Sequence, residues 1–181
     1  MNYDNKVEKV VGLKEGIFLE IGFDTVAPNT SLKITSWAFD KATTKAIEVL
    51  DNRAMEITCY HPGYTFVEKL QTIATKFRRE QAERQELQNF MRHYYDVYCL
   101  LNNEDVQKFI GTAEYHNHKE IRFPRADFDI PISNNEAFLL SSEELRDSFN
   151  KRYKKTSTLY YKGQPSFDDV LSRIKEHIDK L

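Results

Sequence analysis

Two segments with apolar residues at helical spacing lie in the middle of the chain, between Tyr64 and Leu101. Both are predicted to be amphipathic helices, because one side of each segment is apolar and the opposite side is polar. The apolar stripe of the first segment is Phe66, Leu70, Ile73 and Phe77. The stripe of the second is Leu87, Phe90, Met91, Tyr94, Val97, Tyr98 and Leu101. A charged connection separates the two segments. It either continues the first helix or forms a loop.

The polar residues beside these stripes are the candidates for chemistry. Lys69 and Lys76 lie about 60–110° from the middle of the first stripe, where a lysine can bury its stem and extend its ammonium group into a cleft. Asp96 lies nearly opposite the second stripe, with Arg92 one turn before it and His93 beside it. An ordinary solvated surface explains the same pattern, with Arg92 and Asp96 as an i,i+4 pair worth about 0.3–0.5 kcal/mol. Periodicity alone favours this second interpretation.

The segments before these helices have the alternation of β-strands. Residues 17–23 alternate apolar and polar side chains, which places Glu20 and Asp24 on one face of a predicted strand. Residues 32–36 and 53–60 predict two further strands. Because the connection between the first two strands is short, they are expected to be antiparallel neighbours.

The pattern therefore predicts an α+β fold, with a small, mostly antiparallel sheet in residues 16–60 and a helical bundle in residues 64–181. A length of 181 residues suggests a single domain, with residues 1–62 as the sheet part and 63–181 as the helical part. Thr65, with a glutamate three residues later, predicts a capping box at the start of the first helix of the bundle.

Composition narrows the class of protein. Hydrophobic residues make up 40% of the chain and charged residues 30%, as in a soluble globular protein. The net charge of −2 gives no overall electrostatic signal for nucleic acid. Cys59 and Cys99 lack metal-ligand spacing and are interpreted as buried free thiols in a reducing compartment. The polar N-terminus is unlike a signal peptide, and no apolar run is long enough to span a membrane. We expect a cytoplasmic protein with no membrane partner.

Two motifs resemble a known family. Thr-Phe-Val-Glu-Lys at 65–69 and Arg-His-Tyr-Tyr-Asp at 92–96 are similar to segments of the AbiEii/AbiGii nucleotidyltransferase-like toxins of abortive-infection and toxin–antitoxin systems. The resemblance runs from about Gly16 to the C-terminus. It implies that Lys69 and Asp96 are catalytic and that Glu20, on the corresponding strand, is a metal ligand. These three residues are then expected to face one cleft. The substrate-binding residues are expected to be Lys76, Arg92 and His93.

The metal-binding motifs of that family are not found in the first sixty residues, which contain neither a Gly-Ser turn nor an Asp-x-Asp pair. Asp127 and Asp129 form an Asp-x-Asp pair, but it follows the two helices and lies in a predicted Pro-bounded loop. Two-metal sites are built from several carboxylates. Mg²⁺ is therefore expected only if a complete site is formed. The chain resembles the C-terminal two-thirds of such an enzyme, as a separate reading frame, a shortened form or a relic.

Two functions are consistent with these motifs. The first is the C-terminal part of a nucleotidyltransferase-like toxin, which contributes nucleotide, phosphate and target binding and is inactive without the missing metal-binding half. The second is a non-catalytic α+β domain that binds a protein partner. The partners expected are a nucleoside triphosphate, an RNA target, and an antitoxin or a completing N-terminal segment.

Overall fold

The computed structural model describes Leu19 and residues 21–24, 28–160 and 162–181. In its described residues, the chain divides into two compact units, one within residues 23–61 and a second that contains residues 62–181 together with the described residues before Phe23. The first is called the sheet unit and the second the helical unit. The sheet precedes the helices, so the predicted α+β class is confirmed.

The sheet unit consists of β1 (Asn29–Ile34), α1 (Trp37–Thr44) and β2 (Ala54–Tyr60). The two strands are antiparallel, and Leu32 lies opposite Ile57. The register shifts between Leu32 and Ile34, which lies opposite Ala54. The strand β2 therefore has one more residue than β1 between these two pairs, which is a β-bulge. The strand β2 lies where the alternation predicts it. The strand β1 overlaps the predicted strand only at residues 32–34, because the chain turns into α1, which Ser36 caps.

In the remaining predicted strand, residues 17, 18 and 20 lie outside the described part of the chain, and Glu20 is one of them. Among its described neighbours, Leu19 and residues 21–24 are not in a strand. The side chains of Leu19 and Ile21 are exposed.

The helical unit is built around one long helix, α2 (Pro62–Glu83), which packs against α3, α4 and α5. The other helices in the described residues are α3 (Arg92–Leu101), α4 (Glu104–Phe109), α5 (Ala113–Arg122), α6 (Arg125–Phe128), α7 (Glu136–Leu139), α8 (Glu143–Lys154) and α9 (Phe167–His177). Short 3₁₀ turns lie at Ile132–Asn134, Ser157–Leu159 and Ile178–Lys180. None of the described helices is both long enough and apolar enough to cross a membrane.

The core lies where the predicted stripes meet. Phe66, Leu70 and Ile73 of α2 are fully buried. Tyr94 and Val97 of α3 are also fully buried, and α3 packs against both α2 and α9. Because each stripe is buried, the rotation of α2 and of α3 about its own axis is fixed. The polar residues next to the stripes therefore have defined positions.

Two local predictions need correction. Helix α2 begins at Pro62, so Thr65 lies inside the helix and the capping box predicted there is wrong. Proline is favoured at the first helical position, because its fixed φ suits the helix and its missing N–H would be unpaired there anyway. Cys99 is exposed and Cys59 is only half-buried, so the prediction of two buried thiols is also wrong.

A buried glutamate fixes the connection between α2 and α3. Glu80 accepts hydrogen bonds of 2.8 and 2.6 Å from the Arg152 guanidinium of α8. It accepts a third, of 2.6 Å, from the backbone N–H of Leu87. Arg84 and Asn89, in the same connection, have left-handed backbone conformations. The charged segment after the first stripe thus continues α2 to Glu83 and then turns sharply into α3.

Candidate functional site

An ion pair joins the two helices that carry the family motifs. The Lys69 ammonium of α2 lies 2.8 Å from Oδ2 of Asp96 on α3, and both side chains are about one-third exposed. Lys69 precedes the buried Leu70, and Asp96 precedes the buried Val97. Packing of the two stripes therefore brings both groups to the edge of the α2–α3 interface. Asp96 pairs across this interface, and the interpretation of Asp96 as an i,i+4 partner of Arg92 is not supported.

His93 lies beside this ion pair. Its Nδ1 atom is 3.7 Å from the same Oδ2 atom of Asp96, which is too long for a hydrogen bond. Burial lowers the pKa of His93, the Asp96 contact opposes this effect, and the neighbouring Lys76 and Lys69 lower the pKa further. The imidazole is therefore neutral at pH 7, because its ordinary pKa of 6.5 is already below that pH.

Asp96 is ionised in this setting. Burial by itself raises the pKa of Asp96, but the contacts with His93 and Lys69 outweigh burial, and the net pKa is lowered from 3.8. A lysine ammonium group has three donors. Asp96 therefore orients Lys69 through one of them, and the other two can reach a second anion.

Two further cations lie close to this pair. The Lys76 ammonium donates a hydrogen bond of 3.3 Å to the backbone carbonyl of Gln88. Burial lowers the pKa of Lys76, and the nearby charge of Arg92 lowers it further. Arg92 itself is exposed at the start of α3. Lys69, Lys76, Arg92, His93 and Asp96 together are called the α2–α3 cluster, and its cations outnumber its carboxylate.

The predicted metal ligands do not form a site in the described chain. Glu20 lies outside the described residues. Asp127 is buried and accepts hydrogen bonds of 2.6 Å from both Arg78 and Thr75, so its role is to tie α6 to α2. Asp129 is mostly exposed, 3.6 Å from Arg125. Among the described residues, no group of three or more His, Cys, Asp or Glu could hold a metal ion. Asp96, with Lys69 on one oxygen, does not fit Mg²⁺ by itself.

One neighbour of the cluster was not identified from the sequence. Tyr160 stacks on Tyr95, with ring centroids 3.9 Å apart. Burial raises the pKa of Tyr160, and the charges of Asp96 and Arg92 also act on its hydroxyl group. No local pattern reveals this contact, because Tyr160 follows Tyr95 by more than sixty residues and lies outside any helical stripe.

The described residues thus combine an α+β fold with a cluster of cations around the Lys69–Asp96 ion pair. The sequence of residues 3–173 matches the model of the family described as nucleotidyl transferase AbiEii toxin, type IV toxin–antitoxin system. The chain therefore belongs to the AbiEii toxin family, and the resemblance stated from the two motifs is confirmed. Neither the curated proteins nor the solved structures that were compared match this sequence.

Proposed function

We propose that this chain is the nucleotide-binding and target-binding part of a nucleotidyltransferase-like toxin of a type IV toxin–antitoxin system. The observation that supports this proposal most directly is the 2.8 Å Lys69–Asp96 ion pair between the two motif helices. In this role, Lys69 contacts a phosphate group of a nucleoside triphosphate. Asp96 holds the ammonium group in place. The family suggests an antitoxin as the protein partner.

The charge of the cluster suits such a ligand. A triphosphate carries several negative charges, which ammonium and guanidinium groups bind through short, charge-assisted hydrogen bonds. Lys69, Lys76 and Arg92 are the three cations of the cluster, and Asp96 offsets the charge of one of them. His93 is neutral, so it adds a polar surface without adding charge. The net positive charge that remains favours a polyanion.

Transfer of the nucleotidyl group needs more than this cluster. Charge on the reacting phosphate is usually offset by metal ions that several carboxylates hold, and the described residues do not provide such a set. In our proposal the metal-binding carboxylates come from a further segment or a separate chain. The purified chain is therefore expected to bind nucleotide and to leave it unchanged.

The test is nucleotide binding by isothermal titration calorimetry, with Lys69→Ala as the variant and Lys108→Ala as the matched control. Lys108 is an exposed lysine of α4 whose ion pair with Glu104 is 3.8 Å long. Loss of one charge-assisted contact corresponds to an affinity at least about tenfold weaker. We expect this loss in Lys69→Ala, whereas Lys108→Ala should bind as the unmodified chain does.

A parallel assay measures transfer of label from nucleoside triphosphates to bulk tRNA or protein in the presence of Mg²⁺. Label transferred by the unmodified chain and lost in Lys69→Ala would show that the chain forms a complete site. Nucleotide binding that is equal in all three proteins would remove Lys69 from the nucleotide site, and binding that is absent from all three would exclude the α2–α3 cluster as a nucleotide site.

The sheet unit favours a second candidate function, which is binding of a protein partner. Leu32, Ile34 and Ile57 share one face of the two-stranded sheet and are 50%, 44% and 39% exposed. A two-stranded sheet is marginally stable by itself, and a free strand edge can accept a strand from another chain. An antitoxin or a completing segment is the expected partner. Protection of the β1 and β2 amides from hydrogen exchange only when the antitoxin is present would support this function.

A further inference from the structure

The outer edge of β1, at residues 30–34, pairs with no strand in the described part of the chain. The sheet there has the two strands β1 and β2, so each of them pairs with another strand on one side only. All the residues of β1 are exposed. A row of unpaired N–H and C=O groups along a strand is a template for pairing with a strand of another chain.

The two edges of this sheet differ in how well they are protected. On β2, the register shift and the left-handed backbone of Glu56, with φ of 53°, form a bulge. A bulge bends a strand and interrupts regular pairing, which protects an edge. On β1, no residue has a positive φ, there is no proline, and Lys33 is the one charged side chain. The edge of β1 is therefore the more accessible one for a further strand.

The alternation of β1 sets the requirements for a further strand. Leu32 and Ile34 point to one side of the sheet, as does Ile57, which lies opposite Leu32. Ser31 and Lys33 point to the other side. A strand that extends the apolar face needs apolar and polar residues in the same alternation, with no basic residue opposite Lys33.

We propose that the partner is β1 of a second copy of this chain, paired antiparallel so that two two-stranded sheets become one four-stranded sheet. In an antiparallel pair of identical strands, the two-fold axis can pass beside Leu32. Leu32 then lies opposite Leu32 of the second copy, and Lys33 lies opposite its Ser31. The apolar faces of both copies are on the same side, and no like charges face each other. The sequence of β1 thus meets both requirements for its own partner strand.

Self-pairing also stabilises a unit that buries little surface of its own. Two strands alone are marginally stable, whereas three or more strands with an apolar face can be stable independently. No described side chain of the sheet unit is buried, so this unit gains the most from two further strands. Pairing at the edge leaves the apolar face itself uncovered. The inference goes beyond the proposed function, because no residue of the α2–α3 cluster belongs to the sheet unit.

Sedimentation equilibrium of the full chain at a series of concentrations tests the proposal. The unmodified chain should form dimers that dissociate on dilution. Leu32→Glu and Leu32→Lys each place like charges opposite each other at the two-fold axis, so each variant should dimerise at least about tenfold more weakly. An equimolar mixture of the two variants should regain the dimer, because opposite charges then face each other.

Two control variants separate the loss of exposed apolar surface from the loss of pairing at β1. Ile121→Glu changes a side chain of the helical unit and Met55→Glu changes one on β2, and these side chains are 69% and 60% exposed. Both variants should dimerise as the unmodified chain does.

A chain that is monomeric at every concentration would overturn the proposal, as would a dimer that is weakened by Met55→Glu and not by Leu32→Glu. A mixture of the two Leu32 variants that stays monomeric would also overturn it, because symmetric pairing at Leu32 requires opposite charges to restore the dimer.

Hydrogen exchange of the unmodified chain gives a test that does not depend on the folding of any variant. The amides of β1 should be more protected at concentrations where the dimer forms than after dilution. Protection of β1 that appears only when an antitoxin is added would support the second candidate function and overturn self-pairing. The nucleotide site is tested separately through Lys69, so each proposal can fail while the other stands.

Discussion

At the scale of single residues, one carboxylate oxygen organises the candidate site. Oδ2 of Asp96 lies 2.8 Å from the Lys69 ammonium and 3.7 Å from Nδ1 of His93. One negative charge therefore faces one permanent cation and one imidazole that can become a cation. Changes in pH act on this group of three through the carboxylate at low pH and through the imidazole closer to neutrality.

Asp96→Asn should lower the stability at pH 7 by about 0.5–1 kcal/mol, a small effect because the pair is partly solvated. The pKa of Asp96 is lowered in the folded protein, so its stabilising contribution is present above its unfolded value of 3.8. It is lost as the pH falls through the lower, folded value. The difference in unfolding free energy between the two proteins should therefore disappear in strong acid. Urea unfolding at a series of pH values measures this difference in free energy. A difference that grows towards acid pH would contradict the lowered pKa of Asp96 in the folded protein.

His93 should make the protein less stable as the pH falls below neutrality. Its pKa is lowered from 6.5 in the folded state, so the unfolded chain takes up a proton first. The stabilisation is present above pH 6.5 and decreases as the pH falls through the lower, folded value. His93→Gln should reduce this loss between neutral and mildly acidic pH. Thermal midpoints at several pH values test this. An unchanged pH profile in the variant would show that His93 titrates with its ordinary pKa.

At the scale of elements, the close approach of α2 and α4 depends on a glycine. A Cβ atom at Gly63 would lie 2.5 Å from Cγ of Phe109, far inside van der Waals contact. Phe109 cannot easily move, because its ring packs against Tyr64 and Tyr115.

Gly63→Ala should therefore destabilise the protein by about 1–3 kcal/mol, the usual effect of overpacking a core. Gly22→Ala is the matched control, because a Cβ atom there would have no neighbour within 4 Å. Chemical denaturation measures both variants. Equal stabilities would mean that α4 moves away from α2 at little cost.

The connection between α2 and α3 depends on the buried Glu80–Arg152 pair. Glu80→Ala should reduce stability by about 3–5 kcal/mol, since it leaves the Leu87 N–H without its acceptor and the Arg152 guanidinium with only its 3.5 Å contact to the exposed Glu86. It should also loosen the residues around Gln88, whose carbonyl accepts the Lys76 hydrogen bond. Hydrogen exchange of residues 84–91 measures the second effect. Glu83→Ala, which removes the more exposed carboxylate bonded to Arg79, is the control.

At the scale of the whole molecule, the two units differ in how much apolar surface they bury. The fully buried aromatic and aliphatic side chains of the described residues belong to the helical unit. The sheet unit, in its described residues, contains exposed and half-buried side chains only. Burial of apolar area is the main source of stability, so the helical unit should dominate the unfolding transition.

Matched substitutions test this difference. Phe66→Ala should cost about 3–5 kcal/mol, because it opens a cavity in the core of the helical unit. Leu32→Ala, on the exposed sheet face, should change stability by less than about 1 kcal/mol. Calorimetry of the full chain gives both values. A large effect of Leu32→Ala would show that the sheet face is covered in solution.

Much of this architecture could be predicted from the sequence. The stripe of α2, with Phe66 and Leu70, and the alternation that marks β1 and β2 are local patterns set by backbone geometry. The residues of the two motifs also indicated the family. Helix ends were less predictable, because proline at position 62 starts α2 earlier than the Thr65 capping signal indicates.

Only the tertiary structure decides which residues form ion pairs with Asp96 and Asp127. Periodicity places Asp96 on the polar side of α3. It does not show whether Asp96 pairs with Arg92 on the same helix or with Lys69 on another helix. In the sequence, Asp127 is half of an Asp-x-Asp pair. In the folded protein, it forms an ion pair with Arg78. The physical reason is that spacing along a chain determines which face a side chain occupies. The packing of distant segments determines what that face meets.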